Sequence, residues 1–256
     1  MSPEDKTVLI TGAAKRVGRS LALAMARSGW NVVIHYGASA KDAQSLAAEI
    51  RGLGRAAHLI QADLSDAEQT ASIVPRALEF GPLDALVNNA SIFDPLDWET
   101  TTLEAWNRNL MVNLTAPFLL SQAFARRLSP ARRGRIVNLL DWRALRPGAD
   151  HLPYTISKAA LAALTQSLAQ ALAPQVTVNG LALGAILPAN EGGGSNADVA
   201  AVAANYGAAD DPLLANVPAG RWARLEEVEQ GLLFFLTGPE YVTGEIIHID
   251  GGRHLV

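Results

Sequence analysis

Residues 7–29, TVLITGAAKRVGRSLALAMARSG, decide how the rest of the chain is read. Thr7–Thr11 is a short apolar, β-branched run of the kind that forms a buried strand. A turn bracketed by Gly12 and Gly18 follows at once, and the apolar spacing then changes to that of an amphipathic helix. Strand, tight glycine turn and helix in that order can cradle a phosphate, because the free N–H groups of the helix amino terminus face the anion. Lys15 and Arg16 place two cations beside that loop, where a phosphate has an evident use for them; the alternative is a solvated turn. Outward from here, strands are expected at Asn31–Tyr36, His58–Gln61, Ala85–Val87, Arg135–Leu140, Thr177–Leu181 and Glu245–Ile249. Helices are expected at Ala40–Leu53, from near Asp66 to an interruption or end near Pro75, at Leu103–Ala125 and at Glu226–Leu236. Strands and helices alternate with no repeat or second composition zone, so residues 1–256 read as one α/β domain, a doubly wound parallel sheet with helices on both faces.

Composition narrows the function classes. The 256 residues are 49% hydrophobic and 18% charged, as in a globular enzyme, and a net charge of −4 offers no general attraction to nucleic acid or anionic membrane. No apolar segment reaches the length of a membrane span, and MSPEDKTVLITG lacks a signal-peptide layout. With no cysteine there are no disulfides and no thiolate metal sites. The expected location is the cytoplasm, with a small-molecule substrate, no metal, no nucleic-acid partner and no membrane partner.

The chemistry is expected in Asp141–Lys158, DWRALRPGADHLPYTISK. Tyr154 and Lys158 are four residues apart and share one face of a helix. A neighbouring ammonium stabilises a phenolate, so Lys158 is expected to lower the Tyr154 pKa from its usual value near 10 and fit it for proton transfer. Asp141 ends the apolar run RIVNLL, thirteen residues before Tyr154. Polar residues at the carboxyl ends of parallel strands face the crevice where ligands bind.

Other positions carry weaker signals. No carboxylate follows the second strand before Asp42, where an acid would hold a ribose 2′-hydroxyl; His35, Tyr36 and Ser39 stand there instead. Asp63 is open to two uses, a ligand contact or a cap for the helix near Asp66. Asn113 is polar inside an apolar helical pattern, which points to a distortion or a water site. Arg126, Arg127, Arg132, Arg133 and Arg135 read as a solvated basic loop, and His151 as a loop histidine. Phe93 is either core or a stacking surface. Residues 186–218, rich in Gly, Ala and Asn, read as a substrate-binding loop.

Together these motifs resemble the short-chain dehydrogenase/reductase family, across nearly the whole chain. TGAAKRVG is similar to the family turn Thr-Gly-x-x-x-Gly-x-Gly, with Arg16 replacing the middle glycine. Asn88-Asn89-Ala90, Asn113, Tyr154/Lys158 and the Asp250-Gly251-Gly252 ending follow in the family's order. TGAAKR, HYGASA, NNAS followed by Phe93, and an acid at position 141 where the family usually has serine resemble the pteridine reductase and dihydromonapterin reductase branch. Ala38 occupies a position open to a further arginine in that branch, and Leu183-Gly184 replaces the family's Pro-Gly.

The resemblance implies a Rossmann-type sheet and NADPH. It implies cofactor contacts from Gly12, Lys15, Arg16, Val17, Gly18, His35, Tyr36, Ser39, Asp63, Leu64, Asn89, Ala90, Ser91, Tyr154, Lys158 and Gly184. It also implies a pterin held by Arg16, Phe93, Asp141 and Tyr154. Asn113 would hold a water that links Lys158 to solvent, and the apolar helices 103–125 and 154–172 would pair subunits in a homotetramer. The expected reaction is reduction of a pterin or dihydropterin, with Asp141 and Tyr154 delivering the proton. The rivals are a reductase of ketones or another heterocycle, and a nucleotide-sensing protein without catalysis, against which the intact Tyr/Lys pair counts.

Overall fold

A computed structural model describes residues 6–186 and 214–256. Seven strands form one all-parallel sheet: β1 (Thr7–Ile10), β2 (Asn31–Tyr36), β3 (Ala57–Gln61), β4 (Ala85–Asn88), β5 (Gly134–Asp141), β6 (Val176–Leu183) and β7 (Ile246–Ile249). Their spatial order is β3-β2-β1-β4-β5-β6-β7. The order reverses between β1 and β4, so the crevice that binds ligands in such sheets opens beyond their carboxyl ends.

The strands are continuous apolar runs because both faces are covered. Successive residues point to opposite faces: Val8 and Ile10 pack under α1 (Arg16–Arg27), α2 (Ala40–Gly52) and α7 (Leu225–Thr237). Leu9, Leu86 and Ile136 pack under α3 (Ala67–Leu78), α5 (Ala116–Arg127) and α6 (Leu152–Leu172). The doubly wound expectation therefore holds, with strand positions matched to within a few residues. Among the described residues no helix is long and apolar enough to cross a membrane.

Several local expectations need correction. α3 does not end at Pro75 but runs on to Leu78. The proline removes one N–H donor, and the carbonyl it would have met belongs to Ala71, which is exposed and can turn to water. Asp66, not Asp63, caps this helix by accepting from the N–H groups of Glu68 and Gln69. Asp63 closes its own turn by accepting from Ser65 N–H at 2.9 Å. The basic cluster is only partly solvated: Arg132 pairs with Asp84 at 2.7 Å, Arg133 donates to the Pro174 carbonyl, and Arg135 donates to the carbonyls of Phe235 and Gly238. Those arginines tie the amino-terminal edges of β4 and β5 to neighbouring segments.

The long pattern 103–125 is α4 (Leu103–Leu110), a π-helical turn (Met111–Thr115) and α5. The distortion expected at Asn113 lies where this side chain, fully buried, reaches out of the helix. Its Nδ2 donates to the Ile92 carbonyl at 3.0 Å and to Ser157 Oγ at 3.1 Å; its Oδ1 accepts from Ile92 N–H at 2.9 Å and Ser91 Oγ at 3.1 Å. With both donors and both lone pairs engaged, Asn113 knots the β4 exit to the middle of the first turns of α6. Below it, Asn88 donates to Asn138 Oδ1 at 2.8 Å and Asn138 donates to Thr165 Oγ1 at 2.9 Å, extending a buried polar string from β4 through β5 to α6. These polar links fix one arrangement of the helix that carries Tyr154 and Lys158, although the buried Asn88 Oδ1 has no partner among the described residues.

Candidate active site

The glycine turn after β1 meets the end of β4 across the switch point. Thr11 Oγ1 accepts from the N–H groups of Asn89 and Ala90, each at 3.0 Å, and Asn89 Nδ2 donates back to the Thr11 carbonyl at 2.7 Å and the Gly12 carbonyl at 3.1 Å. This packing leaves no room for side chains at the glycines. Gly12 has φ 60°, and a Cβ there would lie 3.0 Å from Ala90 Cα; a Cβ on Gly18 would lie 2.6 Å from Asn89 Nδ2. Arg16 also has φ of 52°, a left-handed conformation. Arginine thus keeps the backbone shape a glycine adopts freely, at a cost of about 1–3 kcal/mol, and sets a guanidinium at the start of α1.

His35 serves this loop from below rather than meeting a ligand. Its ring is buried, Nδ1 accepts from Gly12 N–H at 3.2 Å, and Nε2 therefore donates to the Ala62 carbonyl at 3.1 Å. Burial pulls its pKa down to about 4, so the ring is neutral. Lys15 pairs with Asp42 at 3.3 Å. Asp42 is in the first turn of α2, where a carboxylate is favoured by the helix dipole. Tyr36 and Val17 are half-buried at the loop's edge, Ser39 begins α2 without a side-chain capping bond, and Leu64 is buried beyond β3. On the other side of the crevice Gly184 donates its N–H to the Ile249 carbonyl at 3.0 Å, and a Cβ on it would lie 2.6 Å from Asp250 Cα. The small residues, the open helix terminus, the basic pair and the lack of an acid at the end of β2 fit a dinucleotide with a 2′-phosphate.

Beyond the carboxyl end of β5, Asp141 and Tyr154 come together. Tyr154 Oη donates to Asp141 Oδ2 at 3.0 Å, while Asp141 Oδ1 accepts from Arg143 N–H at 2.9 Å. Lys158 is buried beside them, its Nζ donating to the Leu139 carbonyl at 2.7 Å and standing 5.7 Å from the centre of the Tyr154 ring. The expected lowering of the Tyr154 pKa is not found. Burial first, and then the Asp141 carboxylate, raise it well above its ordinary value. The spacing put lysine on the same helix face, but the strand brings an acid closer to the hydroxyl. Burial likewise pulls Lys158 down to about 8, against the pull of Asp141. Burial pushes the Asp141 carboxyl up, opposed by Arg143, Tyr154 and Lys158. The phenol therefore keeps its proton and points it at a carboxyl group that itself takes up a proton more readily than usual, an arrangement suited to giving protons rather than to taking them.

Phe93 is not core, being 48% exposed. One face of its ring stacks on His151 at 3.9 Å, and Tyr154 meets it edge-on at 4.5 Å. His151, the residue before α6, is thus part of the site wall and is fixed by Asp150 at 3.0 Å. Sequence reasoning missed this and also missed Arg143. The Arg143 guanidinium lies 5.7 Å from the Phe93 ring centre, pairs with Asp150 at 2.7 Å and stands 3.9 Å from Asp141 Oδ1. Its presence in the stretch beginning at Asp141 was the available signal. The expected substrate loop 186–218 lies mostly outside the described residues. Of its described part, Leu214 and Val217 cluster with Trp222 and Ala185. Among the described residues no group of acids and histidines could hold a metal.

Three comparisons bear on this geometry. The short chain dehydrogenase family profile matches residues 6–197. A 3-oxoacyl-[acyl-carrier-protein] reductase of Synechocystis sp. is 31% identical over 251 residues, which are 96% of each chain. Among solved structures, FolM alternative dihydrofolate reductase 1 of Brucella suis, in complex with NADP, superposes with a TM-score of 0.86 at 30% identity, covering 98% of this chain and 96% of that one. A short chain dehydrogenase of Burkholderia cenocepacia, also with NADP, gives a TM-score of 0.83 at 35% identity over 97% of each chain. The chain belongs to the short-chain dehydrogenase family and is an NADP-dependent oxidoreductase.

Proposed function

We propose that the protein reduces a pterin or dihydropterin. The observation that carries this reading is the Tyr154–Asp141 contact at 3.0 Å, an acid where a carbonyl reductase needs only a hydroxyl. NADPH, when bound, supplies the hydride. A pterin ring presents N–H donors as well as acceptor nitrogens, and a carboxyl group beside a phenol can meet both. Tyr154 donates its proton to a ring nitrogen, and Asp141, whose carboxyl burial disposes to take up a proton, passes one from solvent to the phenolate. Lys158 orients the ribose on the nicotinamide side; Lys15 faces the 2′-phosphate of the adenosine ribose, and Arg16 reaches the phosphates between the two; Gly12, Val17, Gly18, Tyr36, Ser39, Asp63, Leu64, Asn89, Ala90, Ser91 and Gly184 line the remaining path. The Asn113 side chain has no hydrogen-bonding capacity left, so any water relay to Lys158 uses its main chain. Phe93 and Arg16 flank the ring, and Phe93 offers the face turned away from His151.

The similarity in fold to the FolM reductase supports this reading, while the Synechocystis relative supports a second one, reduction of a 3-oxoacyl thioester. NADPH deuterated at the transferring position distinguishes them. Deuterium on a ring carbon of the pterin product is expected; its absence there, with label appearing in a 3-hydroxyacyl product, rejects the pterin reading. The protein is further proposed to act in the cytoplasm as a homotetramer. Phe118 on α5 and Ile156 on α6, 37% and 39% exposed, leave an apolar face for pairing. Sedimentation of a monomer at micromolar concentration would reject the tetramer.

A further inference from the structure

Arg253 lies in a short 3-10 turn, Arg253–Leu255, just beyond β7. The turn is fastened by Asp250, whose Oδ1 accepts from Gly252 N–H at 2.9 Å and whose Oδ2 accepts from His254 N–H at 2.9 Å and pairs with His254 Nδ1 at 2.7 Å. Gly251 and Gly252, at φ of 63° and 86°, allow the bend that brings Arg253 back toward β5. Its guanidinium rests over the indole of Trp142, 4.4 Å from the ring centre. Arg143 lies over the same indole at 4.9 Å. Two cations thus share one aromatic mount that borders the Asp141–Tyr154 pair.

Of the two, Arg253 keeps the capacity to bind an anion. The Arg253 side chain has no carboxylate within ion-pair distance among the described residues, although Asp141, Asp150 and Asp250 lie close enough to act on its charge, whereas the Arg143 guanidinium is already held by Asp150 at 2.7 Å. Arginine's planar fork matches a carboxylate in a two-point contact that a neutral polyol cannot give. Phe93, Arg143, Trp142 and Arg253 follow one another outward from the ring site, each next to the last.

Resting on the pterin reading, we propose that Arg253 and Arg143, mounted on Trp142, form a subsite for a carboxylate carried on the substrate's tail. The favoured substrate is then a dihydropterin with an acidic tail, of which dihydrofolate, with its aminobenzoylglutamate, is the representative. Arg143 sits nearer the ring and orients the tail; Arg253 takes the carboxylate at the rim.

The test compares dihydrofolate with a dihydropterin bearing a neutral side chain, at saturating NADPH, in the unmodified protein and in Arg253→Gln. The ratio of the two KM values is expected to shift about 10- to 100-fold against dihydrofolate, the range for one lost charge-assisted contact, with the kcat ratio unchanged. Arg253→Lys should recover part of the shift. Independently of turnover, calorimetric titration of the NADPH-loaded protein with p-aminobenzoylglutamate, the tail without the ring, should show binding that Arg253→Gln weakens. An unshifted KM ratio, or titration heats that Arg253→Gln leaves unchanged, overturns the subsite and leaves the pterin reading standing. A KM increase confined to acetoacetyl-coenzyme A also overturns it, assigning the arginines to a phosphate-bearing carrier. Failure of the unmodified protein to turn over either substrate overturns the pterin reading itself.

Discussion

Replacing Asp141 with serine restores the residue usual in the family at the end of β5 and removes the acid on which the pterin reading chiefly rests. The carboxylate accepts two hydrogen bonds, from Tyr154 Oη at 3.0 Å and Arg143 N–H at 2.9 Å. Serine can replace one of them and titrates nowhere near neutrality. A general acid contributes about 10²–10⁴ in rate, so kcat for a dihydropterin should fall by that factor, or about 3–5 kcal/mol in barrier at about 1.4 kcal/mol per decade. A second change accompanies it. Asp141 helps hold the Tyr154 pKa up, so its removal lowers that pKa. Since Tyr154 must be protonated to donate, the alkaline loss of activity should move to lower pH. The assay is NADPH oxidation followed spectrophotometrically over a pH series, with cofactor affinity measured alongside to show that the variant is folded. If Asp141→Ser keeps its dihydropterin kcat within a few-fold and its pH profile unmoved, the reasoning fails.

Tyr154→Phe should bind NADPH within a few-fold of normal while kcat falls about 10²–10⁴-fold; near-normal turnover in a folded protein would remove Tyr154 as the donor. Because Asp42 holds Lys15 at 3.3 Å, Asp42→Asn should release that cation and tighten NADPH relative to NADH, whereas Lys15→Ala should weaken NADPH and leave a bare carboxylate nearby; fluorescence titrations with both cofactors read the two effects, and equal dissociation constants in the unmodified protein would contradict them. Lys158 is fully buried with its pKa pulled from 10.5 to about 8, so between those values the unfolded chain binds more protons than the folded one and stability rises with pH. Lys158→Met removes that dependence: thermal melts should find its advantage over the unmodified protein, about 3 kcal/mol at most, full below pH 8 and shrinking toward pH 10, and a constant difference would be evidence against the buried ammonium.

The sheet was legible because parallel strands buried on both faces are continuous apolar runs, and TVLI, NVVIHY and RIVNLL stand out from their polar flanks. A distortion or a water site at Asn113 was legible, since a polar amide in an apolar helical pattern must find partners off that helix; that it is a π turn was not. Contacts between distant segments were not. Tyr154 and Lys158 are neighbours by helical spacing, which suggested a lowered phenol pKa. The residue that controls Tyr154 comes instead from β5, and nothing local to α6 announces it. Pro75 misled because a proline in the last turn costs a helix only one donor and a clash, which the carbonyl of the exposed Ala71 tolerates. Arg143, Asp150, His151 and Arg253 look like ordinary loop polar residues until the fold gathers them around Phe93 and Trp142.

The acid paired with the donor tyrosine is the feature proposed to make this short-chain oxidoreductase a pterin reductase. It is tested most directly by measuring kcat/KM for a dihydropterin and for a 3-oxoacyl thioester side by side, with NADPH, on the unmodified protein. A ratio favouring the dihydropterin by at least about two powers of ten, the contribution expected of one well-placed proton donor, is the predicted result. A ratio favouring the thioester would contradict the account and assign Asp141 a structural role at the end of β5.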